Sequence, residues 1–191
     1  MFIEQMPYDS RKHGWIEVIC GSMFSGKTEE LIRRLKRIQF TDQKIEVYKP
    51  KVDDRYHHTK VVSHDETDFE AITVENAAEI KEKFKRSDVV AIDEAQFFDE
   101  RLFEICNWLA SQKVRVIVAG LDMDYSGKPF GPMPAIMATA EYVTKVHAIC
   151  VKCGSLANFS YRITNNKDVI DVGEKDKYIP LCRSCFNKIE Q

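Results

Sequence analysis

Apolar residues in this chain fall into two kinds of run. Short, nearly unbroken ones recur at Ile16-Glu-Val-Ile-Cys20, Val89-Val-Ala-Ile92 and Val114-Arg-Val-Ile-Val-Ala-Gly120, with a mixed one at Lys44-Ile-Glu-Val-Tyr-Lys49. Between them the spacing turns helical. Leu31, Ile32, Leu35 and Ile38 mark one face of 29–38, Asn76 to Phe84 reads as an exposed helix, and Asp99 to Ala110 reads as a helix that packs back. Unbroken apolar strands are those covered on both faces, as central parallel strands are. Strands alternating with helices therefore predict a doubly wound, mostly parallel α/β sheet with right-handed crossovers. Residues 1–14 carry no periodicity and are expected to form a flexible leader.

Composition narrows the class. A chain of 191 residues with 44% hydrophobic content buries one substantial core and has room for a small appended module. With 28 basic against 30 acidic residues the net charge is -2, so no global positive field invites nonspecific polyanion binding; direct nucleic-acid binding is not expected on that ground, while a local nucleic-acid surface stays open. No stretch approaches the roughly 18 to 20 apolar residues of a membrane span, and Met1-Phe-Ile-Glu-Gln-Met lacks the regions of a signal peptide. A cytoplasmic protein without a membrane partner is expected. Six cysteines in such a chain point to metal or chemistry before disulfides.

The first strand runs straight into Gly21-Ser22-Met23-Phe24-Ser25-Gly26-Lys27-Thr28, and a helix follows. Strand, glycine-framed loop and helix in that order are what a phosphate cradle requires. Gly21 and Gly26 let the backbone curl so that N–H groups and the positive helix end face phosphate. Lys27 then reaches the terminal phosphates of ATP, and Thr28 offers a hydroxyl to Mg2+.

The strand Val89–Ile92 ends in Asp93-Glu94. Ligands of open α/β sheets bind at the carboxyl ends of the strands, so Asp93 is placed to hold Mg2+ and Glu94 to take a proton from a nucleophile. The bland reading of Glu94 is an acid capping the next turn. The polar segment from Pro50 to Lys60 holds Asp53 and Arg55 and reads as a loop, either over a nucleotide or merely solvated; His57, His58 and His64 show no metal-like spacing. After Gly120 comes a glycine-, proline- and aromatic-rich loop with Tyr125 and Phe130, whose rings either wall a flat ligand or plug the core edge. Cys20 and Cys106, among apolar neighbours, read as inert core thiols.

Cys150-Val-Lys-Cys153 and Cys182-Arg-Ser-Cys185 are separated by 28 residues, a spacing for four-thiolate Zn2+ with a long excursion between the pairs. That excursion reads as a hairpin-like loop, either an active lid or a tail held in place. From Cys150 onward seven Lys/Arg stand against five Asp/Glu, a weak surplus for a nucleic-acid ribbon. The residues alone support a magnesium-ATP enzyme with a zinc module, and a zinc-ribbon ATPase acting on DNA or RNA stays open beside a kinase for a small acceptor.

From Trp15 to Phe186 the chain resembles the tetrameric, zinc-containing thymidine kinase family. The resemblance rests on the phosphate loop, Asp54-Arg-Tyr, Ser63-His-Asp, Asp93-Glu-Ala-Gln-Phe-Phe, Gly120-Leu-Asp, Lys128-Pro-Phe-Gly, and Lys177-Tyr with the closing cysteine pair. It implies a P-loop, RecA-like α/β domain over 15–148 and a zinc-ribbon domain over 149–191 carrying a substrate lasso. It further implies γ-phosphoryl transfer from ATP to the 5′-hydroxyl of thymidine or deoxyuridine, a homotetramer, and feedback inhibition by thymidine triphosphate, dTTP. By matching positions Glu94 is the general base and Asp93 the magnesium-side acid. Gly21 to Thr28 with Asp53, Asp54, Arg55 and Gln96 line the ATP side. Tyr125 and Phe130 form the base pocket, and Val169, Ile170, Asp171, Val172 and Gly173 with Tyr178 form the strap. Tyr125 stands where the family usually has phenylalanine.

Overall fold

In this computed structural model residues 13–51, 60–62, 68–164 and 177–189 are described. Strand β1 (Trp15–Gly21) leads through the glycine loop into helix α1 (Lys27–Ile38), and β2 (Ile45–Pro50) follows. Short strands β3 (Lys60–Val62) and β4 (Asp68–Glu70) pair as an antiparallel ribbon, ahead of β5 (Ile72–Val74) and α2 (Ala77–Lys83). Then come β6 (Val89–Ile92), a 3-10 turn (Ala95–Phe97), α3 (Leu102–Ser111), β7 (Arg115–Gly120), α4 (Met133–Thr139) and β8 (Tyr142–Val146). The last segment holds β9 (Ala148–Ile149), β10 (Leu156–Ala157), β11 (Phe159–Arg162), β12 (Tyr178–Leu181) and α5 (Arg183–Asn187).

The main sheet has six strands in the order β5-β2-β6-β7-β1-β8, every pair parallel. The three unbroken apolar runs are its interior: β1, β6 and β7 are buried along their whole length. One face packs α2, α3 and α4 through Ile80, Leu102, Leu109 and Ile136, and the other packs α1 through Leu31, Ile32, Leu35 and Ile38. Every apolar residue expected on the inner face of α1 is buried. Segment 76–84 forms α2, capped where the Asn76 side chain accepts from the Glu79 N–H; its inner face buries Ala77 and Ile80, so it is amphipathic rather than exposed throughout.

One charged group sits inside β1. Glu17 is buried, and its carboxylate accepts from Arg115 at 2.7 Å, from Arg34 at 2.7 Å and from the Trp15 indole at 2.7 Å. Burial opposes the charge, but the hydrogen bond and charge of Arg115, with Trp15 and Arg34, outweigh it and hold the Glu17 carboxyl below its ordinary value. The network ties β1, β7 and α1 together beneath the phosphate loop.

Candidate active site and metal centre

The carboxyl ends of β1, β6 and β7 meet at one edge of the sheet, with β7 between the other two. At the end of β1 the chain turns at Gly21 (φ 147°), where an added Cβ would stand 2.2 Å from the Val146 carbonyl oxygen; only glycine fits. The loop then holds a non-glycine residue, Phe24, at φ 63° and Gly26 at φ 82° before α1 begins at Lys27. The Ser22 carbonyl gathers the loop, accepting from Lys27 Nζ at 2.8 Å and from Ser25 Oγ at 2.7 Å. Thus Lys27, the lysine expected to reach phosphate, is folded onto its own loop. Thr28 sits in the first turn of α1.

At the end of β6, Asp93 is buried and its Oδ1 accepts from the Glu94 N–H at 3.0 Å. Glu94 has φ 51° and ψ 40°, left-handed backbone that costs a residue with a Cβ about 1–2 kcal/mol. It stands at the head of the 3-10 turn, and its side chain makes no capping hydrogen bond there. Instead its Oε2 accepts from Gln96 Nε2 at 2.6 Å. Gln96 is buried, and its Oε1 in turn accepts from the Leu121 N–H at 2.8 Å. A Cβ on Gly120 would lie 2.9 Å from that same Oε1, so the glycine ending β7 leaves room for the amide.

The loop after β7 is locked by Asp124, whose Oδ1 accepts from the N–H and hydroxyl of Ser126 and the N–H of Lys128. Phe130 meets Phe97 edge-on at 5.8 Å between centroids. Asp122, at the start of the loop, is buried and paired through Oδ2 with Lys145 at the end of β8. Beside this loop the Arg162 guanidinium, itself buried, lies 3.9 Å over the Tyr125 ring and donates to the Tyr178 hydroxyl from Nε at 3.0 Å and from an Nη at 2.7 Å.

The four cysteines of the C-terminal pairs bring their Sγ atoms within 4.8 Å of one another, and Cys153 lies 3.6 Å from Cys182. These separations exceed a disulfide's S–S length of about 2.05 Å and suit four thiolates about 2.3 Å from one tetrahedral zinc. Burial disfavours the Cys150 thiolate, but N–H groups of Cys182, Lys152 and Cys153 outweigh it and bring the thiol down to about 6. Hydrogen bonding with Cys153 and Cys182 pushes Cys185 up to about 12. Four negative charges this close need a dication to coexist. The donor set fits zinc. Around it Ala148, Ala157, Phe159, Leu181 and Phe186 make a small core of their own.

The family profile described as Thymidine kinase matches residues 14–186. Thymidine kinases from Bacteroides fragilis strain YCH46 and from Rhodothermus sp. strain ITI 518 are similar to this chain, the first 53% identical over 191 residues (100% of this chain, 96% of the relative) and the second 57% over 173 residues (91% and 81%). The chain belongs to the thymidine kinase family. Membership makes it a kinase, a nucleotide-binding transferase. Domain III of a Thermotoga maritima replication initiation protein overlaps 71% of this chain and 55% of its own at 16% identity and a TM-score of 0.42, too loose to bear on function.

Of the residues expected from sequence to serve this thymidine kinase family site, the structure brings Glu94, Gln96 and Asp93 together at one strand end, and Tyr125 and Tyr178 together through Arg162. Gln96, expected on the ATP side, has its amide engaged with Glu94 and the Leu121 N–H. Asp53, Asp54, Arg55, His57, His58, His64 and the strap residues Val169 to Gly173 lie outside the described residues. Cys20 and Cys106 are fully buried, and burial pushes their thiols up to about 11 and about 12, as inert core groups require. Arg162 and Lys145 drew no role from the sequence, and Asp122 entered only within the Gly120-Leu-Asp motif, with no role of its own; its signal is an acid just past a buried strand, like Asp93. Among the described residues no helix is long and apolar enough to cross a membrane.

Proposed function

We propose that this chain transfers the γ-phosphoryl group of ATP to the 5′-hydroxyl of thymidine, with deoxyuridine as a second acceptor. The observation that carries the reading is Glu94, held at the end of β6 by Gln96, with only β7 between it and the phosphate loop at the end of β1. Phosphoryl transfer asks for positioning and charge balance rather than covalent catalysis. In this reading Lys27 leaves the Ser22 carbonyl for the terminal phosphates, the loop N–H groups cradle them, and Glu94 accepts the hydroxyl proton of the nucleoside. Thr28 and Asp93 are the hard oxygen donors for Mg2+ arriving with ATP, which neutralises phosphate charge when bound. Zinc at the four cysteines supplies a cross-link and no chemistry.

Tyr125, Phe130, Tyr178 and the strap 169–173 hold the base, and Asp53, Asp54 and Arg55 complete the ATP side. The division into an ATP-binding unit over 15–148 and a zinc unit over 149–191 is supported by the separate core around the cysteines. A homotetramer, inhibition by dTTP and a cytoplasmic location belong to the same proposal, on the family resemblance; sedimentation and a dTTP titration test the first two.

The deciding assay offers γ-labelled ATP with thymidine, deoxyuridine, deoxycytidine or single-stranded DNA. Labelled thymidine 5′-monophosphate is expected. Free phosphate released only with DNA would overturn the reading.

A further inference from the structure

The phosphate loop is anchored to the zinc unit at two consecutive residues. Ser22 Oγ donates to the Ala157 carbonyl at 3.3 Å, and the Met23 N–H donates to Ser160 Oγ at 2.9 Å. Ser22, Ala157 and Ser160 are all buried. Ala157 ends β10, whose partner β9 runs directly into Cys150, and Ser160 lies on β11, whose partner β12 runs directly into Cys182. Each anchor is thus one strand pairing away from a zinc ligand.

What these anchors hold is the part of the loop under strain. Phe24 follows Met23 immediately and takes left-handed backbone, and such conformations persist only where the surroundings over-determine them. Ser22 is also the residue whose carbonyl collects Lys27 and Ser25. Fixing Ser22 from one side therefore fixes where the lysine and the curl of the loop begin.

We infer that Ser160 is a positioning residue for ATP: through Met23, and beside the Ser22–Ala157 contact, the zinc unit holds the phosphate loop in its binding shape, so the cysteine cluster supports the phosphate side of the site as well as the nucleoside side. The inference rests on the kinase reading above. Removing the Ser160 hydroxyl leaves the Met23 N–H without its acceptor and lets the strained loop relax, so ATP must reorder it on binding.

Ser160→Ala is expected to raise KM for ATP and the Kd of a fluorescent ATP analogue roughly 5- to 30-fold, the equivalent of one lost buried hydrogen bond. KM for thymidine should move less than twofold and zinc content stay at the wild-type ratio, while Ser160→Thr, which keeps the hydroxyl, should restore ATP binding. An unchanged ATP Kd, or a rise confined to the thymidine KM, would overturn the inference. If Ser160→Ala loses its cooperative melt, Ser22→Ala tests the companion anchor at Ala157 without touching the zinc unit, and wild-type ATP affinity there overturns the claim that the zinc unit holds the phosphate loop. Failure of the wild-type protein to phosphorylate thymidine would instead sink the kinase reading, which keeps the two failures apart.

Discussion

Replacing Gln96 by alanine removes the side chain that holds Glu94 and separates two consequences. The amide donates to the Glu94 carboxylate at 2.6 Å and accepts from the Leu121 N–H at 2.8 Å, all from a buried position. A hydrogen bond to a charged group contributes about 1.5–3 kcal/mol, and an orphaned buried N–H costs about 1–3 kcal/mol. Glu94 is only half-buried and regains water, so the lower ends apply, and the loss of stability should be about 2–4 kcal/mol. The catalytic effect is separate. A general base contributes roughly 100- to 10 000-fold, and one that is present but misaimed forfeits part of that, so turnover should fall roughly 10- to 100-fold. Glu94→Gln should cost roughly 100- to 10 000-fold with ATP still bound. Because Gln96 acts through Glu94, the double variant should turn over no more slowly than Glu94→Gln alone. Steady-state phosphorylation of thymidine by the four proteins, with melting curves run alongside, gives both numbers. Multiplying losses in the double variant, or wild-type turnover in Gln96→Ala, would refute the orienting role.

Glu17→Gln takes the carboxylate away from buried Arg115, while Arg34 keeps Glu30 at 2.9 Å, and should cost about 3 kcal/mol by chemical denaturation, the lower end for a broken buried pair. Because the folded pKa of Glu17 lies below the unfolded value, its contribution is fully present above about pH 4.5 and lost as pH falls through the folded value. The wild-type melting temperature should therefore drop more steeply below pH 4.5 than that of Glu17→Gln; parallel curves would contradict the linkage. Cys153→Ser should lower bound zinc below the wild-type ratio and reduce the melting temperature, and a variant with full zinc and an unchanged melt would remove this residue from the metal site. Gly21→Ala puts a Cβ against the Val146 carbonyl at a backbone angle L-residues avoid, so stability should fall by at least about 1–3 kcal/mol and ATP affinity with it; a wild-type melt would show that the turn tolerates a side chain.

Legibility followed the range of the forces involved. The strands β1, β6 and β7 and the inner face of α1 were readable because burial on both faces writes an apolar run, and burial on one writes a period of 3.6. The two edge strands, β5 and β8, were not. β8 lies at the edge with Tyr142 and Val143 exposed, so its sequence carries half the apolar signal of a central strand. Both cysteine pairs and the glycine loop were readable because their chemistry requires fixed local spacing.

The site's fine structure depends on contacts that leave no such pattern. Glu17 puts a charge in a buried strand, and what makes it tolerable stands 17 residues away in Arg34 and 98 away in Arg115. Ser160 reads as one polar residue in a strand-like run, and its partner is a backbone N–H 137 residues earlier, a group every residue possesses. Gln96 is the middle case. Its place two residues after Glu94 was visible, but its second partner is the N–H of Leu121, and only the end of β7 beside the end of β6 explains why the amide turns toward the Glu94 carboxylate. Local chemistry thus points to the candidates for phosphate and metal, whereas the orientation of Glu94, the proposed proton acceptor, is set by strand order, which enters the sequence only as buried polar residues with no local reason to be there.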